Sequence, residues 1–102
     1  MLKGHLELLI LSALAAKPGH GYAIIRAIRE RSRGEIELLE GSIYPALHRL
    51  EAGALVSSAW DESSGRRRCV YELTAKGRRS LGEQERDWRT FERALNLVIE
   101  RA

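Results

Sequence analysis

The sequence predicts a mostly α-helical domain with one small β-hairpin, a winged helix-turn-helix followed by a long C-terminal helix. Three observations carry that expectation. Apolar residues recur at three- and four-residue spacing in four separate stretches. Two runs of β-formers, Leu55 to Trp60 and Arg68 to Leu73, flank a polar, glycine-containing turn at residues 61–67. A basic cluster is confined to the hairpin tip and the start of the helix that follows: Ser63 to Ser80 holds six basic residues against one acid, a net +5, whereas the whole chain carries +3.

The first helix is built on the one long apolar run, Leu6 to Ala16, which Glu7 and Ser12 interrupt. It falls well short of the ~20 residues of a membrane span. Lys3 ahead of it and the mostly small residues Ala13 to Ala16 give it the outline of a secretion signal. Removing it would strip the domain of a helix it must pack against, so it is expected to be retained. Leu6, Leu9, Ile10, Ala13 and Leu14 form one apolar stripe, and Leu8, Leu11 and Ala15 a second. A helix apolar on two sides is buried on two sides. Pro18-Gly19-His20-Gly21 reads as a turn, with His20 capping or bracing the helix it precedes. That second helix runs from Tyr22 to Ser32 on Ile24, Ile25 and Ile28, and Arg33-Gly34 ends it. Ile36-Glu37-Leu38 is expected to add a short third strand beside the hairpin.

The third helix is expected from Ser42 to Ala52, with Ser42 as its N-cap and Ile43, Ala46, Leu47 and Leu50 as its buried stripe. Pro45 would fall in the first turn, where a missing N–H removes no intrahelical bond, and Gly53 would take the left-handed position that ends the helix. The opposite face then presents Ser42, Tyr44, Pro45, His48 and Arg49. Hydrogen-bonding and cationic side chains toward the N-terminal half are what a recognition helix brings to the major groove. In the second strand, alternation puts Cys69, Tyr71 and Leu73 on one face and Arg68, Val70 and Glu72 on the other. Thr74 caps the last helix, where Leu81, Gln84, Trp88, Phe91, Leu95 and Val98 form a short heptad seam with one polar member.

Four runs resemble, in order, the PadR family of winged-helix transcription regulators. They are His20-Gly21-Tyr22, Gly41-Ser42-Ile43-Tyr44-Pro45-Ala46-Leu47-His48-Arg49-Leu50-Glu51, Gly53-Ala54-Leu55-Val56, and Gly65-Arg66-Arg67-Arg68-Cys69-Val70-Tyr71-Glu72-Leu73-Thr74-Ala75-Lys76-Gly77. Cys69 and Val70 depart from the pattern, standing where the family usually has a Lys or Arg and an aromatic. The resemblance implies a DNA-binding domain over residues 1–73 and a dimerisation helix over 74–102, joined in one unit. It implies a homodimeric repressor, often of detoxification or drug-export genes, working in the cytoplasm. The DNA-binding residues would be Ser42, Tyr44, Pro45, His48, Arg49, Arg66, Arg67, Arg68 and Lys76. Because the family shares the helix motif while its members bind different operators, Tyr44, Pro45, His48 and Arg49 are expected to position the helix on phosphates, leaving specificity to Ser42 and the wing. Dimerisation would fall to Leu8, Leu11, Leu81, Trp88, Phe91, Leu95 and Val98. Trp88 has two readings: packing, as for most Trp on a helical seam, or the wall of a central cavity for a flat aromatic effector.

Several classes are disfavoured. A lone cysteine, Cys69, allows no internal disulfide framework, and its inward strand face suits an inert thiol. His5, His20, His48 and Cys69 match no zinc spacing. No nucleophile–base pair, carboxylate pair or phosphate loop assembles, so neither an enzyme nor a cofactor is expected. The alternative is a winged helix used for protein–protein contact, which has no need of clustered arginines.

Overall fold

The computed structural model describes residues 2–100, and side chains from residue 5 onward. Met1, Arg101 and Ala102, the outermost residues of the two expected segments, lie outside it. The chain order is α1 (Leu2–Ala16), α2 (Gly21–Arg31), α3 (Glu40–Ala52), β1 (Val56–Asp61), β2 (Arg68–Leu73) and α4 (Ala75–Ile99). Ile10, Leu11 and Leu14 of α1, Ile24 and Ile28 of α2, Ile43, Leu47 and Leu50 of α3, Val56, Tyr71 and Leu81 close one core. The apolar stripes expected of the first three helices therefore point inward together. On α1 the second stripe splits: Leu11 is fully buried, Leu8 is half-buried and Ala15 is exposed.

The start of α3 differs from expectation. Leu39, in extended backbone, is the N-cap and makes no side-chain capping bond, while the Ser42 N–H donates to the Leu39 carbonyl at 3.0 Å inside the helix. Leu38 is buried in the core, so the chain is anchored there and turns helical as soon as it leaves. Glu40 then sits in the first turn, where a negative charge suits the helix dipole. Pro45 consequently lies in the second turn and deprives the Gly41 carbonyl of its partner, a loss that water can make good because Gly41 is exposed.

The end of α3 also departs from expectation. Gly53 has φ −85°, and the left-handed residue is Ala54, at φ 61°. The Leu55 N–H donates to the Leu50 carbonyl and the Ala54 N–H to that of Glu51, both at 2.9 Å, so the motif that closes the helix is complete but one residue later. An alanine there costs about 1 kcal/mol that a glycine would not.

β1 and β2 pair antiparallel from Val56↔Leu73 to Asp61↔Arg68, with Gly65 at φ 82° in the turn. Residues 36–39 form no strand. The Ser32 hydroxyl accepts the Ile36 N–H at 2.9 Å and keeps that backbone in the turn after α2. The third pairing comes from the other side of the sequence, where Gly19 and Tyr71 exchange both backbone hydrogen bonds, at 3.0 and 2.9 Å. That pairing ties the start of α2 to the wing.

Thr74 caps α4 as expected, accepting the Gly77 N–H at 3.0 Å, and its hydroxyl donates to the Ala54 carbonyl at 2.6 Å. Gly77 is buried against the backbone of Leu55. Beyond Leu81 the helix leaves the core. Among the described residues no helix is long and apolar enough to cross a membrane, and no group of side chains is arranged to hold a metal ion.

Candidate nucleic-acid interface

With its buried stripe inward, α3 leaves Ser42, Tyr44, Pro45, His48 and Arg49 exposed on one continuous face. The 3.6-residue period alone produces that face, and the structure keeps it open. Among the described residues the side chains of His48 and Arg49 have no hydrogen-bond or ion-pair partner. Tyr44 is different: the hydroxyl end of its ring lies against Gly21, where an added Cβ would meet ring carbons at 2.6 Å. Gly21 is thus the residue that lets α3 cross close to the start of α2.

Between that crossing and the wing lies an open groove of about 530 Å³, lined by His20, Gly21, Tyr22, Glu40, Tyr44, Arg66, Arg67, Arg68 and Cys69. The three arginines expected at the hairpin therefore meet the recognition-helix face through Tyr44. His20 is the N-cap of α2, its Nδ1 accepting the Ala23 N–H at 3.2 Å, and its Nε2 lies 2.9 Å from Arg68 Nη1. Arginine only donates, and a neutral imidazole has one acceptor nitrogen, so the ring can accept from Ala23 or from Arg68 but not from both. Burial, then the charges of Arg68 and Arg26, hold the His20 pKa below its ordinary value, which keeps the ring neutral near pH 7. Arg67 lies over the Trp60 ring, 4.3 Å from its centroid. Asp61 accepts the Ser63 N–H at 3.0 Å, and that bond holds its carboxyl below the usual carboxylate range.

Cys69 is half-buried at the edge of the groove. Burial, then the proximity of the Cys69 thiol, pushes the neighbouring Tyr71 hydroxyl up to about 12. Lys76 is not brought to the groove. Its ammonium donates to the Gly53 carbonyl at 2.9 Å, at the C-terminal end of α3, where a cation complements the helix dipole. Proximity in sequence to the wing arginines suggested a shared role, but the turn into α4 carries Lys76 to the opposite end of the recognition helix.

His20, Tyr22 and Glu40 line the groove without having been expected there. The Gly19–Tyr71 pairing places His20 and Tyr22, and the early start of α3 places Glu40. Neither leaves a local signal. Trp60 is the other surprise, a tryptophan 59% exposed on the wing.

At the far side of the molecule, Trp88 is half-buried, edge-on to His5 with ring centroids 4.8 Å apart and tilted to Phe91 at 6.0 Å. His5, Leu8, Gln84, Asp87, Trp88 and Phe91 line an open pocket of about 230 Å³. Phe91, Leu95 and Val98 are exposed along the same helix, and Leu97 and Ile99 beside them. Leu11 and Leu81, expected to serve dimerisation, are buried in the chain's own core and present no surface to a second subunit.

The model of the transcriptional regulator PadR-like family matches residues 10–83. A PadR family transcription regulator from Clostridium difficile is 36% identical, with 95% of this chain and all of that one (100%) covered and a TM-score of 0.82. A transcriptional regulator from Clostridium thermocellum is 25% identical, with 97% of each chain covered and a TM-score of 0.89. A transcriptional regulator of Mycobacterium tuberculosis is 43% identical over 58 residues, which are 57% of this chain and 54% of that one, so the match spans about half of that curated relative.

Proposed function

Since the chain belongs to the PadR-like family of transcriptional regulators, we propose that it binds operator DNA as a homodimer and represses transcription in the cytoplasm. The observation that carries this reading is the groove that joins the open face of α3 to Arg66, Arg67 and Arg68. The helix face offers Ser42 to base edges and Tyr44, His48 and Arg49 to phosphates, and the three guanidinium groups beside it add phosphate or minor-groove contacts. A mobility shift with the DNA upstream of this protein's own gene, run at two salt concentrations, tests it. Binding that weakens steeply with salt is the expected result, and no retardation at either concentration overturns it.

The dimer would form along α4, where Phe91, Leu95 and Val98 leave an apolar seam uncovered. We expect the chain ending at Asp87 to fold, because every residue of the buried core lies at or before Leu81. It should sediment as a monomer and lose specific binding, since two half-sites about 34 to 36 Å apart are no longer engaged together. A truncated chain that still sediments as a dimer refutes this assignment.

The pocket beside Trp88 supports regulation by a flat, apolar or cationic aromatic effector, which would stack on the indole. In a Trp60→Phe background the remaining tryptophan emission should be quenched saturably by such a compound, and titration calorimetry should show its binding lost in Trp88→Ala. Operator affinity should fall at the same time, because an effector acts only through its different affinity for two dimer geometries. A panel of aromatic compounds that gives no saturable quenching rejects this site.

A further inference from the structure

Trp60 stands opposite Cys69 in the hairpin, on the strand face that Val56 and Tyr71 use for the core, yet it is 59% exposed. The core ends before reaching it. What covers one side of its ring is Arg67, whose guanidinium carbon lies 4.3 Å from the ring centroid, well inside the distance at which a cation is held by an aromatic face.

The stack has a directional consequence. In a guanidinium stacked face to face on a ring, the N–H donors lie in its plane and stay free at the edge. The three wing arginines therefore differ. Arg68 is engaged with His20 at 2.9 Å. Arg67 rests over the indole and makes no hydrogen bond among the described residues. Neither acid of the hairpin, Asp61, which accepts the Ser63 N–H, nor Glu62, forms an ion pair with Arg67 among the described residues. An arginine that must be ordered on binding loses rotamer freedom at that moment, whereas one already held loses little.

We propose that Trp60 is a positioning residue for DNA binding: its indole holds the Arg67 guanidinium pre-oriented so that the edge donors meet the phosphate backbone of duplex DNA. The proposal rests on the DNA-binding reading above and adds a residue and a mechanism to it. Trp60 itself is not required to touch the nucleic acid.

The test uses the full chain and a mixed-sequence 40-base-pair duplex at low salt, with binding followed by fluorescence anisotropy and folding by thermal melting. Phosphate contacts serve every sequence, so no operator is needed. Trp60→Leu keeps an apolar side chain and removes the ring; Trp60→Tyr keeps a ring. Trp60→Leu should weaken binding by roughly five- to thirtyfold, the scale of ordering one exposed side chain in each of two protomers. Trp60→Tyr should bind within about twofold of the unmodified chain. In an Arg67→Ala background, Trp60→Leu should have no further effect, which a merely structural role for the ring would not produce. Equal losses from Trp60→Leu with and without Arg67, or no loss from Trp60→Leu while Arg67→Ala weakens binding, overturn the proposal and leave DNA binding standing. Absence of binding by the unmodified chain fails the DNA-binding reading instead.

Discussion

Gly77→Ala is expected to destabilise the protein by about 3 kcal/mol or more, the scale of severe overpacking. A Cβ at this position would lie 2.0 Å from the Leu55 carbonyl oxygen, 3.0 Å from its carbon and 3.2 Å from a Leu73 methyl. The contact is with backbone, which cannot rotate aside. Leu55 is held at both ends, its N–H by the Leu50 carbonyl at 2.9 Å and its oxygen by the Thr74 N–H at 3.1 Å. Relief would have to come from lifting α4 off the hairpin and breaking the Thr74 cap. For a domain of this size the midpoint of thermal unfolding should fall by about 15 °C. The sign is informative, because alanine in a helix interior ordinarily gains about 1 kcal/mol over glycine. Gly82→Ala supplies the comparison. Its Cβ would meet only the flexible end of Arg86, at 3.6 Å, so that variant should melt at or above the unmodified chain. Equal behaviour of the two variants would contradict the close approach of α4 to Leu55.

Replacing Arg66, Arg67 and Arg68 together by alanine should reduce DNA affinity at every sequence and flatten its salt dependence. Each phosphate contact contributes about 0.9 to the log–log slope. Six guanidinium groups per dimer therefore predict a change of about 5 if all reach phosphate, and about 4 if Arg68 stays with His20. The fold should survive, since Arg66 and Arg67 lie in the exposed turn and Arg68 only at the start of β2. Circular dichroism checks that point, and anisotropy at four or five salt concentrations gives the slope. An unchanged affinity and slope for the triple variant would remove the wing from the interface.

Much of this architecture is legible because it rests on local periodicity. The stripe of Ile43, Ala46, Leu47 and Leu50 determines which face of α3 is buried, and so which face is open, whatever packs against it. The same holds for the hairpin, whose β2 spans the expected residues and whose turn is opened by Gly65 in the left-handed region. Helix ends are less legible. Ser42 has the chemistry of a cap, but the burial of Leu38 moves the cap three residues earlier, to Leu39, and places Ser42 inside the helix. Gly53 has the freedom to close α3, yet the hydrogen bonds to Leu50 and Glu51 put Ala54 in the left-handed conformation.

Alternation and spacing by themselves determined the order of elements, the inward stripes and the placing of three arginines at one hairpin, since each depends on residues a few positions apart. The tertiary structure alone decided how those arginines differ. Arg68 meets His20 across 48 positions of sequence because Gly19 pairs with Tyr71. Lys76, eight residues after Arg68, turns away to cap α3. Trp60 and Arg67 come face to face because the strand register returns the chain beside itself. These contacts join residues that local pattern leaves independent, and they form only once the hairpin, α2 and α4 are packed on one core.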